Sequence, residues 1–148
     1  MKLLYIISIC FIFLTSCDLN DDNETTYEET TYLVEWHLIE VNGGISGETD
    51  EFDLNTVVWT FNTENNVLTV VNNNTDDTKE DALDSGTYSY SETDFGGIFY
   101  LSIDGDEFGE FSFSSSNNFL TINATELSTE MVSDGYIYEF QRVLVEVE

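Results

Sequence analysis

The chain has 148 residues, of which 30 are acidic and 3 are Lys or Arg, for a formal net charge of −27; 41 % of residues are hydrophobic, 14 % are aromatic and none is proline. Nucleic acid is excluded as a partner, because a phosphate backbone is bound by Lys and Arg that displace its counterions, and the same charge opposes adhesion to anionic lipid headgroups. The apolar content argues against disorder, and the length leaves room for one globular domain rather than two.

Met1-Lys2 supplies one positive charge, and Leu3 to Leu14 is apolar apart from Ser8, the pattern of a secretory signal. A membrane-spanning helix needs about 20 apolar residues; this run is shorter and stops at Thr15-Ser16-Cys17. Leu14-Thr15-Ser16-Cys17 resembles the lipobox of bacterial lipoproteins. The resemblance implies that residues 1–16 are a signal peptide, removed before Cys17, and that the cysteine is acylated on its sulfur and new amino group. Cys10 would leave with the signal, so Cys17 is then the only cysteine and has no partner for an intramolecular disulfide. After it, all 30 acids face only Lys79 and Arg142 as strong bases. Membrane attachment is therefore expected through the acyl chains on Cys17, several of which anchor stably where one is marginal.

Residues 17–30 form a polar run with little to bury and read as a solvated acidic tether. An acidic stretch behind the lipidated cysteine resembles the surface-export signal of Bacteroidota lipoproteins. Asp18 alone resembles an inner-membrane retention signal, but the cluster extends to Asp21, Asp22, Glu24, Glu28 and Glu29. The expected address is the outer membrane, lipid-anchored, on the cell surface rather than the periplasmic face.

From Thr31 onward short apolar alternations are punctuated by Asn, Gly, Asp and Ser, with no sustained 3.6-residue period. Eight strands are predicted. Tyr32–Asn42 puts Val34, Trp36 and Leu38 on one face and Glu35 and His37 on the other, and Gly43–Asp50 reads as a mobile loop. Thr56–Asn62 carries Val57, Trp59 and Phe61, and joins Asn66–Asn72, with Leu68 and Val70, through a hairpin at Thr63-Glu64-Asn65. Asn73–Asp84 is a polar loop. Gly86–Ser91 carries Tyr88 and Tyr90, and Ser91–Gly97 turns the chain. Ile98–Ile103 and Glu107–Ser114, with Phe111 and Phe113, flank a hairpin turn at Asp104-Gly105-Asp106. Phe119–Ala124 follows, then a helical turn over Thr125–Met131, and last Tyr136–Val143.

Eight sequential strands with mostly short connections predict an all-β, up-and-down antiparallel barrel, closed so that no edge stays unpaired. Such a barrel is either packed solid or holds one small ligand. Trp36-His37-Leu38, Trp59-Thr60-Phe61 with the turn before Val67-Leu68-Thr69-Val70, Ser85-Gly86-Thr87-Tyr88, Asn118-Phe119-Leu120-Thr121-Ile122 and Asp134 to Arg142 resemble, in their order, the lipocalin-like domain of Bacteroidota lipoproteins, a calycin-type barrel. The resemblance spans Thr31 to Val143 of a domain reaching residue 148. It implies barrel closure by first-strand Trp36 under last-strand Arg142, a guanidinium on an indole; the other role for Arg142 is to anchor a ligand carboxylate.

The residues offer little catalytic or metal-binding chemistry. Nucleophilic catalysis needs a histidine beside its nucleophile, and the only one, His37, shares a strand face with Glu35 and reads as a surface or rim residue. One His and one lipidated Cys do not make a zinc site. Asp104–Glu110 lacks calcium-loop order, because Phe108 and Ser115 stand where oxygen ligands belong. Asn72–Asp77 reads as a solvated loop rather than a cation site. No enzyme, metal or cofactor is expected. Two function classes remain: a lipid-anchored binding module whose interior, lined by Trp59, Phe61, Tyr88, Tyr90, Phe111, Phe113 and Tyr138, takes a small apolar or aromatic ligand, or an envelope accessory protein with a filled barrel acting through surface contacts with other proteins. Interior volume separates them.

Overall fold

The computed structural model describes residues 30–147; the stretches read as signal sequence, lipidated Cys17 and acidic tether up to Glu29 lie outside the described residues. Alternation of apolar and polar residues becomes strand wherever one face can be buried. There are nine strands: β1 Thr31–Gly43, β2 Glu48–Glu51, β3 Val57–Asn62, β4 Val67–Asn72, β5 Gly86–Phe95, β6 Ile98–Ile103, β7 Asp106–Phe113, β8 Phe119–Asn123 and β9 Tyr136–Val147. All pairings are antiparallel, β1 and β3 to β9 follow one another around the sheet, and β9 pairs back onto β1. The result is a closed eight-stranded up-and-down barrel, with no helix among the described residues.

Strand β2 stands outside the ring of eight. On one edge β1 meets β9 along its whole length; on the other it meets β3 only at Trp36 and His37, and β2 takes the vacant Glu40–Gly43 stretch. Part of the expected mobile loop is therefore paired backbone.

Two bulges re-aim side chains that strict alternation would point outward. In β1 the register passes from Leu38↔Phe140 to Glu40↔Glu139, so Ile39 is the extra residue and Leu38 and Val41 both enter the core. In β7 it passes from Leu101↔Gly109 to Ser102↔Glu107, so Phe108 joins Phe111 against the interior. Its ring then lies 6.0 Å from Trp59 and 5.6 Å from Tyr138. Gly109 is required by a close approach: a Cβ there would stand 2.6 Å from the Asn123 carbonyl oxygen.

The two barrel ends differ. One is shut by residues 73–85, which the sequence marks as a polar loop but which press Ala82 and Leu83 onto the core. The Tyr138 hydroxyl donates to Glu80 Oε1 (3.1 Å), the Glu80 N–H to Asp50 Oδ2 (3.1 Å), and Lys79 Nζ to the Glu51 carbonyl (2.7 Å), binding this segment to β2. The stretch Asn72–Thr78 is knitted by its own Asx turns, with Asp76 Oδ1 accepting from both the N–H and the hydroxyl of Thr78. Those bonds hold the Asp76 carboxyl below its ordinary pKa.

Two further elements differ from expectation. Strand β5 runs on to Phe95 and turns at Gly96-Gly97, so Ser91–Gly97 is mostly strand. Thr125–Met131 is a bent hairpin with a bridge between Glu126 and Met131 rather than a helical turn, because the Glu107 carboxylate accepts both the N–H and the hydroxyl of Ser128. The hairpin turn expected over Asp104-Gly105-Asp106 forms as a two-residue turn at Asp104-Gly105, with φ of 52° and 94°, because Asp106 already pairs with Ile103 as the first residue of β7.

Among the described residues the only close acid–base pair is Glu35 with His37. Acids therefore meet other acids: partial burial first, then the charge of Glu126 and a hydrogen bond with it, raise the Glu110 carboxyl above its ordinary pKa. A raised carboxyl takes up its proton more readily folded than unfolded. Its contribution is fully present below the unfolded value, near about 4.3, and is lost as pH rises through the folded one. Glu110→Gln should thus melt higher than the parent chain at pH 7, with the gap closing below about pH 4; thermal unfolding at both pH values measures it. Separately, Gly109→Ala should destabilise the barrel by about 1–3 kcal/mol through overpacking against Asn123, read from urea unfolding.

Candidate functional site

The other barrel end is open because its strands end unevenly. β3 reaches β1 only as far as Trp36, and β8 leaves β9 at Gln141, with a last bond from the Arg142 N–H to the Asn118 carbonyl, so 31–35 and 143–147 project as a ladder paired only with each other. Across the mouth, β5 leaves β4 after Ser89 and continues with β6 as a second projecting ladder. Apolar side chains stay exposed on both: Tyr32, Leu33, Leu144, Val145 and Val147 on the first, Phe95, Ile98 and Phe99 on the second.

Between the ladders lies a cavity of about 370 Å³, lined by Tyr32, Leu33, Val34, Trp36, Phe61, Thr63, Tyr90, Glu92, Leu101, Phe111, Phe113, Leu120 and Ile122. Its walls are braced by aromatic pairs from different strands: Trp36 and Phe113 at 5.4 Å, Phe61 and Tyr90 edge-on at 5.0 Å, Phe111 and Phe113 edge-on at 5.9 Å. Trp59, fully buried, lies in contact with Phe61 and packs at 4.9 Å on Phe140. Its indole N–H is the one buried side-chain polar group without a partner among the described residues. From Trp59 toward the closed end, Phe108, Tyr138 and Phe140 fill the barrel.

The expected ligand-contacting set is therefore divided. Phe61, Tyr90, Phe111 and Phe113 come together on the cavity; Trp59 is packed in the core; Tyr88 and Tyr138 belong to the closed end, where Tyr88 donates its hydroxyl to the Asp84 carbonyl (2.9 Å) and Tyr138 to Glu80. Trp36, read as a closure residue, is also a cavity wall. Register sets it opposite Arg142 across the β1–β9 seam, on the same face of the sheet. The cation–π contact found among the described residues is a different one, Lys79 over Phe52 at 5.1 Å.

Sequence reasoning missed Val34, Leu101, Leu120, Ile122 and Glu92 as cavity walls. The signal for the first four was the alternation itself. Glu92 shares the parity of Tyr88 and Tyr90, and pairs with Leu101 as Tyr90 pairs with Ile103, so extending β5 past Ser91 would have placed it on the inner face. Burial, then the charge of Glu92, raises the Tyr90 phenol above its ordinary pKa.

His37 is a correction: it is 1 % exposed, not a rim residue. The β2–β3 connection folds over it, and the Asn55 N–H donates to Nδ1 at 3.1 Å. The proton then sits on Nε2, which donates to Glu35 Oε2 at 3.1 Å. Both ring nitrogens are engaged in holding that connection down.

A larger open groove of about 550 Å³ runs on the outer wall beside Ile39, Glu40, Phe52, Asp76, Lys79 and Glu139. It is polar and shallow, and no group of three or more His, Cys, Asp or Glu among the described residues is arranged to hold a metal. Comparison with protein-family models, with curated proteins and with solved structures finds no match to this chain.

Proposed function

We propose that this chain is a lipid-anchored envelope protein whose lipocalin-like barrel binds a small apolar or aromatic ligand at its open end, without catalysing a reaction. The observation that carries the binding reading is the apolar cavity of about 370 Å³, within the size range of small-molecule sites, which are mostly apolar with a few polar groups. A barrel filled throughout would have no such space, and only the closed half is packed in that way.

The anchoring reading is supported by the lipobox-like Leu14-Thr15-Ser16-Cys17 and the acidic run behind it. Attachment through acyl chains on Cys17 suits a chain whose charge would keep it off an anionic bilayer. An outer-membrane, surface-exposed location and a Bacteroidota-type lipoprotein follow from the same stretch. No nucleic acid, metal or cofactor is proposed as a partner.

Labelled palmitate should be incorporated into the expressed chain and be lost in Cys17→Ala; label persisting in the variant overturns the anchor. For the cavity, the neutral fluorophore N-phenyl-1-naphthylamine should bind the full chain saturably. Leu120→Trp, which fills the cavity from a buried wall position, should abolish that fluorescence change while leaving the β circular-dichroism spectrum intact. Absence of saturable binding in the parent chain overturns the binding reading.

A further inference from the structure

We infer that the cavity selects ligands with a positively charged head on an apolar tail, hydrophobic amines or quaternary ammonium amphiphiles, over fatty carboxylates. The inference rests on the binding reading above and names its ligand class.

Three features converge on it. Among the described residues the cavity wall holds one acidic side chain, Glu92, and no Lys, Arg or His; register turns Glu92 to the inner face opposite Leu101, where it stands exposed at the mouth. Trp36, Phe61, Tyr90 and Phe111 present rings around the same space, and a cation over an aromatic face is attracted by the ring quadrupole, most strongly when desolvated. Finally, the surrounding field is strongly negative, with 30 acids in the chain; a cleft with low-dielectric walls focuses such a field and concentrates the opposite charge. The base nearest by register, Arg142, faces Trp36 across the seam but is not a wall of the cavity. A carboxylate head would meet Glu92 and the net negative potential with no cation among the described lining residues to offset them, and burying an unpaired charge is costly.

The test compares three probes with the same tail: decyltrimethylammonium, decanoate and 1-decanol, each titrated calorimetrically into the full chain at physiological salt and below its aggregation concentration. The ammonium should bind one site at least about tenfold tighter than decanoate and be displaced by decanol. Glu92→Gln should narrow the ammonium-over-decanoate preference severalfold, and Leu120→Trp should remove binding of all three. Decanol bound with no preference for the ammonium, or decanoate bound tighter and lost in Arg142→Ala, overturns the inference while leaving the binding reading standing. Multiple weak ammonium sites that ignore both Glu92→Gln and Leu120→Trp overturn it as well, since they report only the acidic surface. Failure of decanol itself to bind overturns the binding reading and the inference with it.

Discussion

The seam between β1 and β9 is the constraint on which the rest of the barrel depends. Its twelve paired positions join the first strand to the last and remove the two free edges that a meander of eight strands would otherwise present. Closure also creates the interior: only when Trp36 and Leu38 are brought beside Phe140 and Tyr138 do the faces of β3 to β8 acquire an opposite wall to pack against. Strand β2 and the chain over His37 fasten to the other edge of β1 where β3 ends early, so the first strand organises both the ring and its accessory arm.

The interior so formed is asymmetric. At one end the segment 73–85, with Ala82 and Leu83 inward and Glu80 beneath Tyr138, turns an acidic loop into a plug. At the other, unequal strand lengths leave two ladders standing apart, and the core stops at Trp36 and Phe61. With a single close acid–base pair among the described residues, the barrel relies on aromatic packing and backbone pairing inside. The cavity survives because the bulges at Ile39 and Phe108–Gly109 direct bulky residues toward the closed half.

Much of this was legible from residue types. Alternation at Val57-Trp59-Phe61, Leu68-Val70 and Leu120-Ile122 marks strands and their inner faces, and Asp104-Gly105 marks a turn that needs positive φ. What was not legible depends on the tertiary partner. A bulge looks like unbroken strand in sequence, so the inward turn of Val41 and Phe108 was hidden. Glu48–Glu51 has a single partly buried residue, Asp50, and is a strand only because β1 offers it a free edge. Ser91–Asp94 reads as loop by composition, yet it is strand because β6 pairs with it beyond the barrel rim. The burial of His37 is caused by a connection nearly twenty positions away in sequence. Of the site, the aromatics were found, but dividing them between cavity and plug required knowing which end was shut.

The same seam sets the order in which the molecule can be finished. Its partners, from Gly43 with Tyr136 to Thr31 with Val147, stand roughly a hundred residues apart, whereas the other ladders of the ring join near neighbours in the chain. Hairpins from β3 to β8 can form as the chain emerges, N-terminus first, but β1 must wait with one edge bare until the twelve residues of β9 arrive. Until then the growing protein is an open, acidic sheet, and mutual charge repulsion between such sheets is a safeguard against their pairing edge to edge before the ring is complete.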